Sequence, residues 1–490
     1  MKYKFFLILI FLVGFYLRIM FLSGGGLTFS YDQGRDAFVI NQILRGDFKI
    51  QGPSASTPGL FHGPFYYYLL APAYLVGHGN PYYAAVWLAF VCSLAIPLVY
   101  YFSLKLFASP RTSLILALLF AVSYEQTQYA VWLSNPTPAV LTVPLLYFGL
   151  WAWINGKKWG PVLSGLALGL SVHSDIFFLY HLPVIFILWV RGRLKNIPPF
   201  LISLLIIVST FIVSEIKFGF QGLRGLTNLF ILQDAAVSNR GFVDGLQVYL
   251  DQFAKLVGYN LFPLNLGYAG VIGAILVISL IRSKFKYKDL LLLYVFSSAF
   301  ASSFGGTSTP FLNAGLGAAV LLLFGHFISR QKSWLILGIS FVFIAANLYS
   351  VFTHNPHGQT LFAIQADLNL KNELAAVDYI YTSQSGRPFS LNTITAPLYI
   401  NTAWSYLFNW YGQTKYQYLP RWHGHDQVGL LGNNLIWPDK SVTDYYLIID
   451  PPETNFSRYI APGIAEEDGK STLVKEVNFG QIRVQKRTKI

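Results

Sequence analysis

The sequence predicts an α-helical polytopic membrane protein carrying a C-terminal extracytoplasmic domain of α/β or α+β type. Three observations lead there. The 490 residues are 54% apolar and only 12% charged, against about 25% charged in ordinary soluble domains. Long apolar segments follow one another with short gaps through residue 352. Basic residues crowd alternate loops, and the acids sit in the others.

The first apolar segment, 3–22, has the length needed to cross a hydrocarbon core of about 30 Å. A cleaved signal peptide is the competing reading, and Ser23-Gly24-Gly25-Gly26 fits it. The apolar part, however, exceeds the roughly 7–15 residues of a signal core, and no A-x-A site follows; an anchor is expected. Further segments lie at 82–104, 112–131, 137–154, 159–173, 176–190, 198–216, 266–281, 289–304, 311–328 and 333–352, about eleven spans in all. The two beside His173 are short enough to be half-helices or one bent span.

With the N-terminus inside, the inner loops collect Lys2 and Lys4, Lys105 and Arg111, Lys157 and Lys158, the 191–195 and 282–288 clusters, and Arg330 with Lys332. Asp289 is the acid among them. The outer segments hold Asp32, Asp36, Asp47, Glu125, Asp175, Glu215, Asp234, Asp244 and Asp251. The net charge of +13 is therefore membrane topology, and no nucleic-acid partner is implied. Cys92 is the only cysteine, which excludes an intrachain disulfide, a thiolate zinc site and a paired redox centre.

Two units follow: a membrane domain, 1–352, with outer loops 23–81 and 217–265, and a soluble domain, 353–490. In the soluble part 12 basic and 12 acidic residues cancel. The stretch "LNLKNELAAVDYIYTSQ" has the helical period and "AWSYLFNWYGQ" reads as a second helix, while "DYYLIID" and "GQIRVQK" read as strands.

The richest chemistry lies at the first exit from the membrane, "FSYDQGRDAFVINQILRGDF". Ser30 and Gln33 form a capping-box pattern, so a helix starts here. Asp32 in its first turn would complement the helix dipole. Asp32 and Asp36 are also i and i+4, their stripe continues through Val39 and Ile43, and Arg35 is placed to pair with them. That face is expected to turn inward and line a cavity.

Downstream, His62 and Gly63-Pro64 precede Tyr66-Tyr67-Tyr68. For the tyrosines an interfacial aromatic belt is the plain reading, whereas His62 returns close to where Asp32 left. His173 and Asp175 lie at an outer turn, as a hydrated turn or as part of a cavity. Arg18 and Glu125 are expected to form an ion pair, and Glu215 reads equally as an interface residue or a cavity acid. Asp32, Asp36 and Asp175 are the oxygen ligands a divalent metal would use.

Taken together, "YDQGRDAFVINQILRGDF…LFHGPFYYYLLAPAYLVG" resembles the first outer loop of GT-C membrane glycosyltransferases, and within them the protein O-mannosyltransferase and aminoarabinose-transferase group. Asp32 matches the motif aspartate and Arg35 the arginine of the aminoarabinose branch; "RGDF" and "HGPFYYYLL" match the following segments. The likeness covers about residues 1–190. Two departures stand out. Gln33 replaces the second acid, and Gly63, preceded by His62, replaces the basic residue before proline. A third departure is "VHSDI", which stands between the short spans where the family has "T-K-G".

The charge distribution puts the N-terminus inside and the C-terminal domain outside, and the resemblance agrees with such a multi-pass protein of the cell membrane. The resemblance implies inverting transfer of a sugar from a polyprenyl-phosphate donor to a lipid, glycan or protein acceptor, without a cofactor. Asp32 would be the general base or would position the acceptor hydroxyl. Arg35, Asp36, His62, Tyr67, His173, Asp175 and Arg240 are the substrate-binding candidates, with His62, His173 or Arg240 in place of the missing phosphate-contacting lysine. A nucleotide-sugar donor is not expected, since the sequence has no Gly-rich phosphate loop. The alternatives are a lipid-linked glycan flippase, which should show paired broken helices in corresponding halves where one candidate pair, around His173, is seen with no half that mirrors it, and an inactive membrane scaffold.

Overall fold

The computed structural model describes residues 2–490 except 56–57, 228–241, 300–309, 363–364, 366, 428, 433–434, 436–441, 443 and 454–455. Apolar helices dominate up to His354. Among the described residues, Pro81–Phe107, Pro198–Lys217 and Ser333–His357 are long and apolar enough to cross a bilayer, and two bent pairs raise the number to five. Other apolar segments form shorter helices. Ala139–Ile154 has 16 residues and rises only about 24 Å. Among the described residues the eleven sequence segments are thus not eleven full-length helices, and segment 289–304 lies partly outside them.

The breaks have local causes. The segment read as 112–131 bends by 46° between Pro110–Val122 and the next helix, where Ser123 caps the new helix by accepting from the Gln126 N–H at 3.4 Å. The bend leaves the last carbonyls of Pro110–Val122 open. Arg18, fully buried near the end of α1 (Lys2–Ile19), fills them: its guanidinium donates to the carbonyls of Phe120 at 3.2 Å and Ala121 at 2.9 Å. The expected Arg18–Glu125 ion pair therefore does not form. Glu125 instead accepts from the Asn260 amide.

The C-terminal part, the soluble domain expected from the sequence, folds around a five-stranded sheet in the order β2-β1-β3-β5-β4. The strands are β1 Ser390–Ile394, β2 Arg421–Trp422, β3 Asp444–Ile449, β4 Ser471–Phe479 and β5 Ile482–Lys489. β2, β1 and β3 are parallel; β5 and β4 close the sheet as an antiparallel hairpin. The helices read from "LNLKNELAAVDYIYTSQ" and "AWSYLFNWYGQ" are present as Leu370–Gln384 and Thr402–Tyr416, the second with a π-turn over 408–412.

This domain is bolted to the segment that follows α1. The N–H groups of Leu370 and Lys371 donate to the carbonyls of Leu27 at 2.8 Å and Gly25 at 3.1 Å. The Gln359 N–H donates to the Thr28 hydroxyl at 2.7 Å, and the Thr28 N–H donates back into the membrane domain at the Val131 carbonyl, 3.0 Å. The surface helix α2 (Tyr31–Leu44) then runs between α3 (Phe65–Val76) and helix Thr402–Leu407. Gly34 permits this contact, because a Cβ there would stand 2.7 Å from Ala403 Cα.

Candidate active site

α2 begins as its sequence dictates, with the Ser30–Gln33 capping box formed. Gln33 is itself buried, and its amide donates to the Leu133 carbonyl at 2.5 Å. A glutamate, the residue common in the resembled motif, would meet that carbonyl with an acceptor instead of a donor.

The inward face of α2 is Gln33, Asp36, Ala37, Ile40 and Ile43. This differs from the expected stripe. Asp36 is buried, but Asp32 keeps 58% of its side chain exposed and Val39 is only half-buried. One helical turn separates the acids: Asp36 packs among Arg35 and the α3 tyrosines Tyr66 and Tyr67, while Asp32 lies at the edge. Arg35 joins them: Nη1 is 2.7 Å from Asp32 Oδ1, and Nε and Nη2 donate to Asp36 Oδ1 at 2.9 and 2.8 Å. Tyr67 hydrogen-bonds Asp36 from behind. Burial pushes the Asp36 carboxyl up to about 6, with Arg35 pulling it down. Burial works against the Arg35 charge, yet the two carboxylates hold its proton more tightly than water does.

His62 and Asp175 form a second pair, 3.6 Å apart and both buried. The Ile176 N–H donates to His62 Nδ1 at 3.1 Å, and Asp175 caps the following turn by accepting from the Phe177 N–H at 3.0 Å. Burial lowers the His62 pKa and raises that of Asp175. His62 is thus a neutral imidazole with its proton on Nε2.

His173 lies behind Gly63. Its ring Nε2 is 2.8 Å from the Ile207 carbonyl, and its backbone carbonyl accepts from the Gly63 N–H at 3.1 Å. A Cβ at Gly63 would come within 2.2 Å of His173 Nδ1, so no side chain, basic or otherwise, fits at 63. Tyr66 and Tyr67 are buried rather than belted at an interface, and Tyr68 alone of the three is exposed. Arg240 lies outside the described residues.

Two cavities flank the loop 50–62, which folds back on itself through His62 N–H to Pro53 O and Gly52 N–H to His62 O, both 2.9 Å. On one side is a polar cavity of about 520 Å³ lined by Ser30, Tyr31, Asp32, Arg35, Ser54 and Ala55, closed by Gln365, Ala396, Pro397 and Glu453 of the soluble domain. On the other side is an apolar groove of about 610 Å³, with His62, Ile176, Leu204, Phe211 and Glu215 among its lining. Glu215 caps the backbone of Gly222 and Leu223 at 3.1 Å each. Asp32 and Arg35 thus face the polar space and His62 the apolar one. Asp36, Tyr67, His173 and Asp175 brace these three from behind.

The metal ligand set weighed from the sequence does not converge. Asp32 and Asp36 share Arg35, Asp175 sits with His62, and no group of three potential ligands gathers among the described residues. The sequence also gave no sign of the soluble domain's share of the cavity. Ala396 and Pro397 follow β1 and Glu453 follows β3; only the parallel pairing of these strands, invisible in a single sequence, brings them together.

No family model matches the chain, and no curated protein matches it. Solved structures do. ArnT from Cupriavidus metallidurans, crystallised bound to undecaprenyl phosphate, superposes at 12% identity over 99% of this chain and 98% of its own, with a TM-score of 0.59. Two cryo-EM structures of the mycobacterial arabinofuranosyltransferase AftD, one of them an R1389S mutant, match at 10% and 12% identity with TM-scores of 0.47 and 0.45. They cover 99% and 98% of this chain, which spans only 40% and 41% of theirs. The end-to-end ArnT match shows a shared fold.

Proposed function

We propose that the chain is a membrane glycosyltransferase that moves a sugar from a polyprenyl-phosphate donor to an acceptor on the outer face of the membrane. The observation that carries this reading is the juxtaposition of a polar cavity holding Asp32 and an apolar groove holding His62, with one loop between them. A lipid-phosphate sugar needs such a pair of spaces: a groove for the isoprene units beside the phosphate, and a polar chamber for the sugar. The ArnT structure, which shares the fold, was solved with undecaprenyl phosphate. The proposal includes eleven membrane passes, an internal N-terminus and an external soluble domain.

In this mechanism the Asp32 carboxylate takes the proton of the acceptor hydroxyl. The acceptor oxygen attacks the anomeric carbon opposite the phosphate, the bond from that carbon to the phosphate oxygen breaks, and configuration inverts. Polyprenyl phosphate leaves with the bonding electrons. Its charge is met by the N–H groups of Arg35 not engaged by Asp32 and Asp36, and by the Nε2–H of His62. His62 lies close enough to Arg35 and Asp32 to feel their charges. No step draws on a cofactor.

The test uses the full chain in nanodiscs with polyprenyl-phosphate hexoses and cell-envelope acceptors. Wild type transfers sugar and Asp32→Asn falls by about a hundredfold or more. Equal transfer by both proteins would remove Asp32 from the chemistry.

A further inference from the structure

The soluble domain does more than cover the cavity. β1 and β3 are neighbouring parallel strands, in register from Ser390↔Tyr445 to Ile394↔Ile449, so the loops after them leave the same carboxyl edge of the sheet. In α/β sheets that edge is where ligands bind. Here the edge points at Asp32, because Ala396 and Pro397 after β1 and Glu453 after β3 line the same cavity.

Hydrogen bonds tie the described residues at this edge to one another. The Asp450 N–H donates to the Ile394 carbonyl at 3.0 Å. The buried Asp450 carboxylate receives the Trp404 indole N–H at 2.9 Å and the Ala396 N–H. The Gln365 amide donates to the Pro451 carbonyl at 2.7 Å. A wall so tied binds with less of the entropy cost of arranging itself.

The charge of the chamber selects its guest. Among the described lining residues Asp32, Arg35 and Glu453 carry charge; apart from Arg35, which stands on α2 and meets the leaving phosphate, the wall contributed by the soluble domain offers Glu453 and no cation. What remains is acidic and rich in hydrogen-bonding groups, with Ser30, Ser54 and Gln365 beside the Tyr31 ring. At the Glu453 wall a phosphate dianion would be repelled, whereas hydroxyl and ammonium groups would be held.

We infer that the soluble domain forms the acceptor subsite, and that Glu453 binds a hydroxyl or ammonium group of a carbohydrate acceptor carrying no phosphate at its reacting end. This rests on the glycosyltransferase reading, but it is tested by equilibrium binding, which needs no donor and no turnover. The full chain in nanodiscs is titrated with mannobiose, glucosamine and mannose 6-phosphate, read by saturation-transfer NMR. The first two bind, and the phosphate binds about tenfold or more weaker. Glu453→Gln weakens glucosamine by about tenfold, and Glu453→Lys reverses the preference towards mannose 6-phosphate, a gain that misfolding cannot produce. Mannose 6-phosphate binding wild type as tightly as the others overturns the inference. So does unchanged affinity in Glu453→Gln, or binding of none of the three. Failure of sugar transfer with intact polyol binding would instead count against the enzymatic reading alone.

Discussion

The backbone N–H of Ile176 donates to Nδ1 of His62 at 3.1 Å, and this contact sets the histidine's protonation. A ring nitrogen that accepts carries no proton, so His62 presents its Nε2–H to the groove as a neutral donor. Because burial lowers its pKa below the ordinary 6.5, the unfolded chain binds the proton first as pH falls. The stability contributed by neutral His62 is full above 6.5 and is lost downward from there. Thermal melting from pH 7.5 to 5 should show wild type losing more stability than His62→Asn. Parallel curves would show that the fold does not hold His62 in its neutral form.

Asp36 gives the opposite sign. Its folded pKa of about 6 lies above the ordinary 3.8, so its protonated form favours folding at low pH and that contribution fades as pH rises through about 6. Activity runs the other way, since the ionised carboxylate clamps Arg35. Transfer should fall on the acid side with an apparent pKa near 6. Asp36→Asn should abolish that limb and lower the plateau by about tenfold. A wild-type rate that is flat from pH 5 to 8 would break the link.

Gln33 bonds Ser30 through its oxygen and Leu133 through its nitrogen. Gln33→Glu places a buried carboxylate against a carbonyl and leaves that carbonyl without its donor. Destabilisation of about 1–3 kcal/mol is expected in denaturant melts at pH 7.5. Neutral or stabilising behaviour would show that the Leu133 contact is not formed.

Gly63 has no room for a side chain because His173 fills the space. Gly63→Ala should cost about 1–3 kcal/mol through overpacking, and Gly63→Lys, which restores the residue of the resembled motif, at least as much. The double variant Gly63→Ala with His173→Ala should recover part of the loss, because the clash is pairwise. Additive losses would mean that the two residues do not meet.

Sequence by itself determined the parts whose physics is local. Apolar length and charge alternation fixed the class of the protein, since crossing a membrane constrains every stretch of about 20 residues independently. The Ser30–Gln33 box fixed the start of α2, and helix or strand period fixed two helices and two strands of the soluble domain. Asp32, Arg35 and His62, singled out from the sequence, line cavities in the structure. Tertiary structure decided which of the neighbouring groups reach a cavity. Asp36, Tyr67, His173 and Asp175 look equally exposed to chemistry in a linear reading, yet packing turns them into braces. Arg18 looked destined for Glu125 and met open helix carbonyls instead, because the break at Ser123 left acceptors nearer than any acid. Glu453 stands more than 400 positions from Asp32 along the chain. Only the parallel pairing of β1 with β3, and the docking of helix Thr402–Leu407 on α2 at Gly34, bring them to one chamber.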